Sequence, residues 1–144
     1  MKFYLAIDPG ASGGWVFNNG DTVTSGGIDE LVDLHFPLNT VVILENVPPF
    51  VGRAIPSSAA FKLGKSCGWL EGFFTGKGYP VILVRPQEWQ KTMGVGTKNG
   101  STTTEWKNKL KARASELYPD GVPVTLWSAD ALLILDAAVR RAIT

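Results

Sequence analysis

Two apolar runs in this chain each stop abruptly at a carboxylate: Phe3-Tyr4-Leu5-Ala6-Ile7-Asp8 and Val41-Val42-Ile43-Leu44-Glu45. Uninterrupted runs of this length and β-branched content read as strands covered on both faces, as parallel strands are. Paired strands lie roughly 4.8 Å apart, so side by side these two would bring their terminal carboxylates almost into contact. Bare carboxylates at that range repel, and one must take a proton unless a cation sits between them. Oxygen-liganded divalent cations are the usual answer, and Asp or Glu with Mg²⁺ is the usual chemistry of phosphodiester cleavage. The expectation from these strand ends is metal-dependent chemistry on nucleic acid.

With 144 residues and 44% hydrophobic content, the chain can fill one real core, and a single domain is expected over 1–144. The lone Cys67 excludes a disulfide framework and a cysteine-rich zinc site, and fits a reducing cytosol. Lys2 leads directly into the first strand pattern, so no signal peptide is expected. No uncharged apolar run is long enough to span a membrane. The net charge of +1 says little, but its distribution is uneven. Residues 1–50 carry Asp8, Asp21, Asp29, Glu30, Asp33 and Glu45 against Lys2. Residues 85–113 carry Arg85, Lys91, Lys98, Lys107, Lys109, Lys111 and Arg113 against Glu88 and Glu105. An acidic half and a basic half suit metal on one side and a phosphate backbone on the other. A solvated helix face is the alternative for any one of the short charge runs.

The order of elements is α/β. Gly10 to Gly14 turns the chain into a second strand at Trp15-Val16-Phe17, and Asn18-Asn19-Gly20-Asp21 is a hairpin signal returning through Thr22-Val23-Thr24. A short helix is expected from Asp29 to Leu34, then the Val41–Glu45 strand and a Pro- and Gly-bearing loop from Val47 to Pro56. Ser57 or Ser58 can cap a helix to about Phe74. Pro80 to Val84 reads as a fifth strand, and Pro86 opens a short helical turn. Gly94 to Ser101 is polar and expected to be mobile. Thr102-Thr103-Thr104-Glu105 matches a capping box for a helix to about Tyr118, which Pro119 stops. Ser128 caps a last helix to about Ala142. Hairpins followed by alternating helices and strands predict one mixed sheet in the order 3-2-1-4-5, with strands 1, 4 and 5 parallel and helices on both faces.

The last helix adds a third acid. Asp130 falls in its first turn, which favours a carboxylate, among otherwise apolar neighbours from Ala129 to Leu135. That makes it an odd core residue and a candidate metal ligand. Asp136 lies about 120° further around the helix and has Arg140 at i+4, so a surface ion pair is the better reading.

These residues resemble the RuvC-like Holliday junction resolvases, in particular the compact phage and poxvirus-type members of the RNase H-like superfamily. The motifs are Ile7-Asp8-Pro9-Gly10, Leu44-Glu45-Asn46-Val47, Ser58-Ala59-Ala60-Phe61-Lys62-Leu63-Gly64, Val84-Arg85-Pro86-Gln87-Glu88-Trp89-Gln90-Lys91 and Ala129-Asp130-Ala131-Leu132-Leu133, in family order across nearly the whole chain. Each is weak alone, and their order carries the match. The resemblance implies an RNase H-like fold and an endonuclease resolving four-way junctions or other branched DNA as a homodimer. It implies Asp8, Glu45 and Asp130 as ligands for two Mg²⁺ ions, with Mn²⁺ as substitute, and the host cytoplasm as location if the chain is phage-encoded. Lys91 matches a family lysine that neutralises the scissile phosphate or leaving group; an exposed helix lysine is the alternative. Arg53, Lys62, Arg85, Lys98, Lys107 and Lys111 are the expected DNA contacts. One departure matters. The family's further Asp before the A-D-A-L motif is replaced by Thr125, Leu126 and Trp127, which weakens the case for a second metal site and leaves a catalytically silent branched-DNA binder as the alternative. His35 has no matching role. A nucleotide-binding domain of the actin and sugar-kinase type shares the strand–D-x-G–hairpin opening but needs a second domain for which there is no length.

Two features invite contact with a partner. Gly64, Gly68 and Gly72 form a bare stripe on the central helix, at a cost of roughly 3 kcal/mol in helix propensity, so something must approach that backbone. The family's dimer interface and the helix's own sheet are the two candidates, with Phe61, Trp69, Phe73 and Phe74 tilting the balance to a dimer. In the Pro48-Pro49-Phe50-Val51-Gly52-Arg53 loop, Arg53 suits a phosphate, while Phe50 either stacks on an unpaired base or plugs the core.

Overall fold

The computed structural model describes residues 2–46, 56–118, 122–125 and 128–143. Five strands, β1 (Phe3–Ile7), β2 (Gly14–Asn18), β3 (Val23–Gly27), β4 (Thr40–Glu45) and β5 (Val81–Val84), form one sheet in the order β3-β2-β1-β4-β5. The first three make an antiparallel meander, and β1, β4 and β5 run parallel. Order and directions are those expected from the sequence. The short helix expected from Asp29 to Leu34 is present as a 3₁₀ helix, Ile28–Asp33. Only six residues, Leu34 to Asn39, separate its end from β4, and within it Leu31 alone is buried.

Four α-helices cover the sheet: α1 (Ser57–Gly76), α2 (Pro86–Met93), α3 (Thr103–Leu117) and α4 (Ala129–Ile143). Strand alternation sorts the core into two layers. Leu5, Ile7, Val42 and Leu44 point to one face and pack with Leu70 and Phe74 of α1 and with Leu31. Ala6, Ile43 and Val84 point to the other and pack with Trp89 and Met93 of α2, Trp106, Leu110 and Ala114 of α3, and Ala131 to Leu135 of α4. α4 is buried along most of its described length, at Ala129, from Ala131 to Leu135 and at Ala137, because it lies on the sheet while α2 and α3 flank it.

The helix starts show where local chemistry succeeded and where it did not. Thr102 and Glu105 form the expected capping box: Glu105 N–H donates to Thr102 Oγ1 at 3.1 Å and Thr102 N–H to Glu105 Oε2 at 3.3 Å. Neither Ser57 nor Ser58 caps α1. Pro56 occupies that place, with no side-chain acceptor. Ser128 directly precedes α4 and exchanges hydrogen bonds with Thr125. Ser128 N–H donates to Thr125 Oγ1 at 3.1 Å and Thr125 N–H returns to Ser128 Oγ at 2.9 Å, a reciprocal pair of the capping-box kind. The 94–101 stretch turns on glycines with positive φ at Gly94, Gly96 and Gly100, and Val95 anchors it in the core.

Candidate metal and nucleic-acid site

The site follows from strand register. Ile7 pairs with Leu44 across the parallel β1–β4 ladder, so Asp8 and Glu45, each next in its strand, are neighbours. The period of two places both on the Ala6 and Ile43 side of the sheet, the side that α4 covers. There α4 begins, with Asp130 in its first turn. Backbone contacts fix the two strand ends. Asp8 N–H donates to Gly14 O at 2.9 Å, and Gly13 N–H to Gly10 O at 2.8 Å. Gly13 must be glycine, since a Cβ there would lie 2.1 Å from Asp8 O. From the opposite face α1 holds the same two points. Ser66 Oγ donates to Pro9 O at 3.0 Å, and Cys67 Sγ to Glu45 O at 3.6 Å.

The three carboxylates act on one another. Burial pushes Glu45 up to about 8, the Asp8 charge adding to it and that of Asp130 adding less, while the Trp89 indole opposes the rise. Burial also pushes Asp130 up to about 7, with Asp8 again adding and Lys107 opposing. Asp8 is raised by burial, against the pull of the Gly10 N–H and Lys107. Asp8 Oδ1 accepts that N–H at 3.3 Å, and Glu45 Oε2 accepts from Trp89 Nε1–H at 2.5 Å. Three hard oxygen donors whose ionised forms are disfavoured by burial, and for Glu45 and Asp130 also by the Asp8 charge, suit a divalent cation, which would remove both penalties. Among the described residues no group of three or more His, Cys, Asp or Glu side chains is already assembled around one ion position. The trio shares a field without forming a closed cage.

The basic residues divide. Lys107, half-buried on α3, is the cation that lowers both Asp8 and Asp130. The sequence reading gave it only a phosphate contact. The capping box, which fixes the start of α3, was the one signal that could have placed it. Lys91 is exposed on α2 and is not among the charges acting on the three acids. Arg85, exposed, precedes α2, and Lys111 is exposed one turn beyond Lys107. Lys98 Nζ donates to Thr103 Oγ1 at 3.3 Å beside the start of α3. Lys62 lies on the other face, where it lines a largely apolar cleft of about 630 Å³ with Gly10, Asp29 and Trp69. None of the three carboxylates lines that cleft. Arg53 and Phe50, like Leu126 and Trp127, lie outside the described residues. Asp136 pairs with Arg140 at 2.6 Å, as its i+4 spacing suggested.

The glycine stripe does not touch its own sheet. A Cβ at Gly64, Gly68 or Gly72 would meet nothing within 4 Å. Phe61 and Trp69, 69% and 53% exposed, share that side, opposite the buried Cys67, Leu70 and Phe74. Of the two candidates for the stripe, packing on the chain's own sheet is ruled out.

Solved structures match the chain, two of them over nearly its whole length. One, Thermus thermophilus RuvC in complex with a Holliday junction substrate, is 16% identical, covering 98% of this chain and 95% of that one at a TM-score of 0.60. The other, a Thermus thermophilus RuvC structure, is 17% identical, with 97% and 96% covered at the same TM-score. No protein-family model matches the chain, and no curated protein does. The fold is the RNase H-like α/β fold.

Proposed function

We propose that this chain is a divalent-metal-dependent endonuclease that resolves Holliday junctions or related branched DNA. The observation that carries the reading is the trio Asp8, Glu45 and Asp130, brought from β1, β4 and α4 into one electrostatic unit with Lys107 beside it. It stands in a fold shared with a protein solved on a Holliday junction. In this reading the three acids hold Mg²⁺, or Mn²⁺ in its place, and the metal supplies an activated water and stabilises the leaving oxygen. The chain's own residues do the rest. Lys107 offsets charge next to the acids, and Lys91, Lys98, Lys111 and Arg85 contact phosphates, with Arg53 and Lys62 as outlying contacts. Two symmetric nicks require two active sites. The open face of α1, with its glycines, Phe61 and Trp69, is the surface through which we propose that two copies pair. The likeness to a phage or poxvirus-type resolvase belongs to the same proposal, as does one domain over 1–144.

A second reading has its own observation. Thr125, in the region where the family carries a fourth acid, offers no carboxylate and exchanges hydrogen bonds with Ser128. That suits a chain that binds branched DNA without cutting it. Incubation of an end-labelled synthetic four-way junction with Mg²⁺, Mn²⁺ or EDTA separates the two. Paired nicks with either metal and none in EDTA are expected; binding without nicks under every condition would establish the silent reading.

A further inference from the structure

We infer that Trp89 is a positioning residue for Glu45, holding one carboxylate oxygen so that the other is presented to the cation. The inference rests on the metal-site reading above and goes beyond it.

The placement is built into the topology. Glu45 pairs with Val84 in the β4–β5 register, and Asn46 N–H donates to Val84 O at 2.9 Å. Two residues after Val84 the chain enters α2 at Pro86. Glu88 and Trp89 N–H both donate to Arg85 O, at 3.0 and 3.3 Å, which fixes the first turn. Trp89 therefore rises from the strand end next to Glu45, and its indole turns back over it. The ring is 1% exposed and packed in the α4-side core, while Glu45 is 7% exposed. Nε1–H donates to Oε2 at 2.5 Å. Among the described residues Oε1 accepts no hydrogen bond. One oxygen is thus committed to the indole, and Glu45 has a single oxygen to offer a metal.

The buried indoles differ in their partners. Trp15 Nε1 has no hydrogen-bond partner among the described residues, whereas Trp89 Nε1 meets a carboxylate of the trio. A carboxylate that ligates metal needs its rotation fixed, and partners behind metal ligands tune affinity through such hydrogen bonds.

The test uses the full chain and Ca²⁺ alone, without DNA, followed by titration calorimetry. Trp89→Phe keeps an aromatic ring and deletes the N–H. It should weaken Ca²⁺ binding roughly 10- to 100-fold, with circular dichroism and unfolding temperature close to wild type. An affinity within about twofold of wild type, when Glu45→Gln abolishes binding, would overturn the inference and leave the metal site standing. Undiminished binding by Glu45→Gln would overturn both, since the site itself would then be misplaced. Should Trp89→Phe fail to fold, the wild-type protein still decides. The Trp89 indole ¹H–¹⁵N resonance should shift with Ca²⁺ at the calorimetric midpoint, and an indole signal unmoved at saturation would refute a role in holding the ligand.

Discussion

Replacing Glu45 by Gln should stabilise the metal-free protein at high pH and leave it unchanged at low pH. The unfolded side chain titrates near 4.5 and the folded one near 8. Between those values the folded state holds a proton that the unfolded state has lost. This contribution to stability is full below 4.5 and disappears as pH rises through 8. At pH 5 wild-type Glu45 is protonated, and Gln is close to its isostere, with an amide oxygen still able to accept from Trp89. At pH 9 the wild type must bury a charge beside two others. The interval from 4.5 to about 8, at ~1.4 kcal/mol per tenfold change in proton affinity, sets a ceiling of about 5 kcal/mol. Part of that cost is relieved by relaxation around the site, so about 2 kcal/mol is the working expectation, or about 4–8 °C in unfolding temperature for a chain of this size. Thermal unfolding in EDTA at pH 5 and pH 9, followed by circular dichroism, measures it. An equal change at both pH values, or destabilisation at pH 9, would refute the argument that Glu45 is strained by its neighbours.

Mg²⁺ should raise the wild-type unfolding temperature at pH 8, and Asp130→Asn should lose most of that increment; calorimetric scans with and without metal read both. Lys107→Ala should slow junction cleavage more than Lys91→Ala, since only Lys107 acts on the acids; equal losses in single-turnover rates would put Lys91 back at the chemistry. Thr125→Val should cost about 1 kcal/mol in urea unfolding through loss of the Thr125 Oγ1 hydrogen bonds to Ser128, whereas Asp136→Asn should cost no more than about 0.5 kcal/mol for an exposed i,i+4 pair.

Much of this arrangement is written locally. The two carboxylate-ended runs give the strands, their parallel pairing follows from full burial, and period-two alternation then sends Asp8 and Glu45 to the same face. Asp130 is legible because a carboxylate in an apolar first turn is out of place unless it is used. What stays hidden depends on how helices are set against the sheet. Lys91 and Lys107 look alike in the sequence; which one nears the acids is decided by how α2 and α3 flank α4. The Trp89 bond to Glu45 is hidden for the same reason, since it joins the start of a helix to a neighbouring strand through a turn of set length. The open side of the glycine stripe could not be read, because glycine spacing marks a close approach without saying from which direction. Thr125 reads in the sequence only as the absence of an acid, and its hydrogen bonds to Ser128 cross a stretch whose fold no local motif sets.

In the proposed site Asp8, Glu45 and Asp130 share a divalent cation. Crystals of the protein soaked in Mn²⁺ test it directly through anomalous scattering. A peak within about 2.5 Å of oxygens from all three side chains is expected, with Asp8 and Asp130 drawn in and Glu45 still joined to Trp89. Saturating Mn²⁺ with no peak at the trio, or a peak elsewhere on the chain, would contradict it.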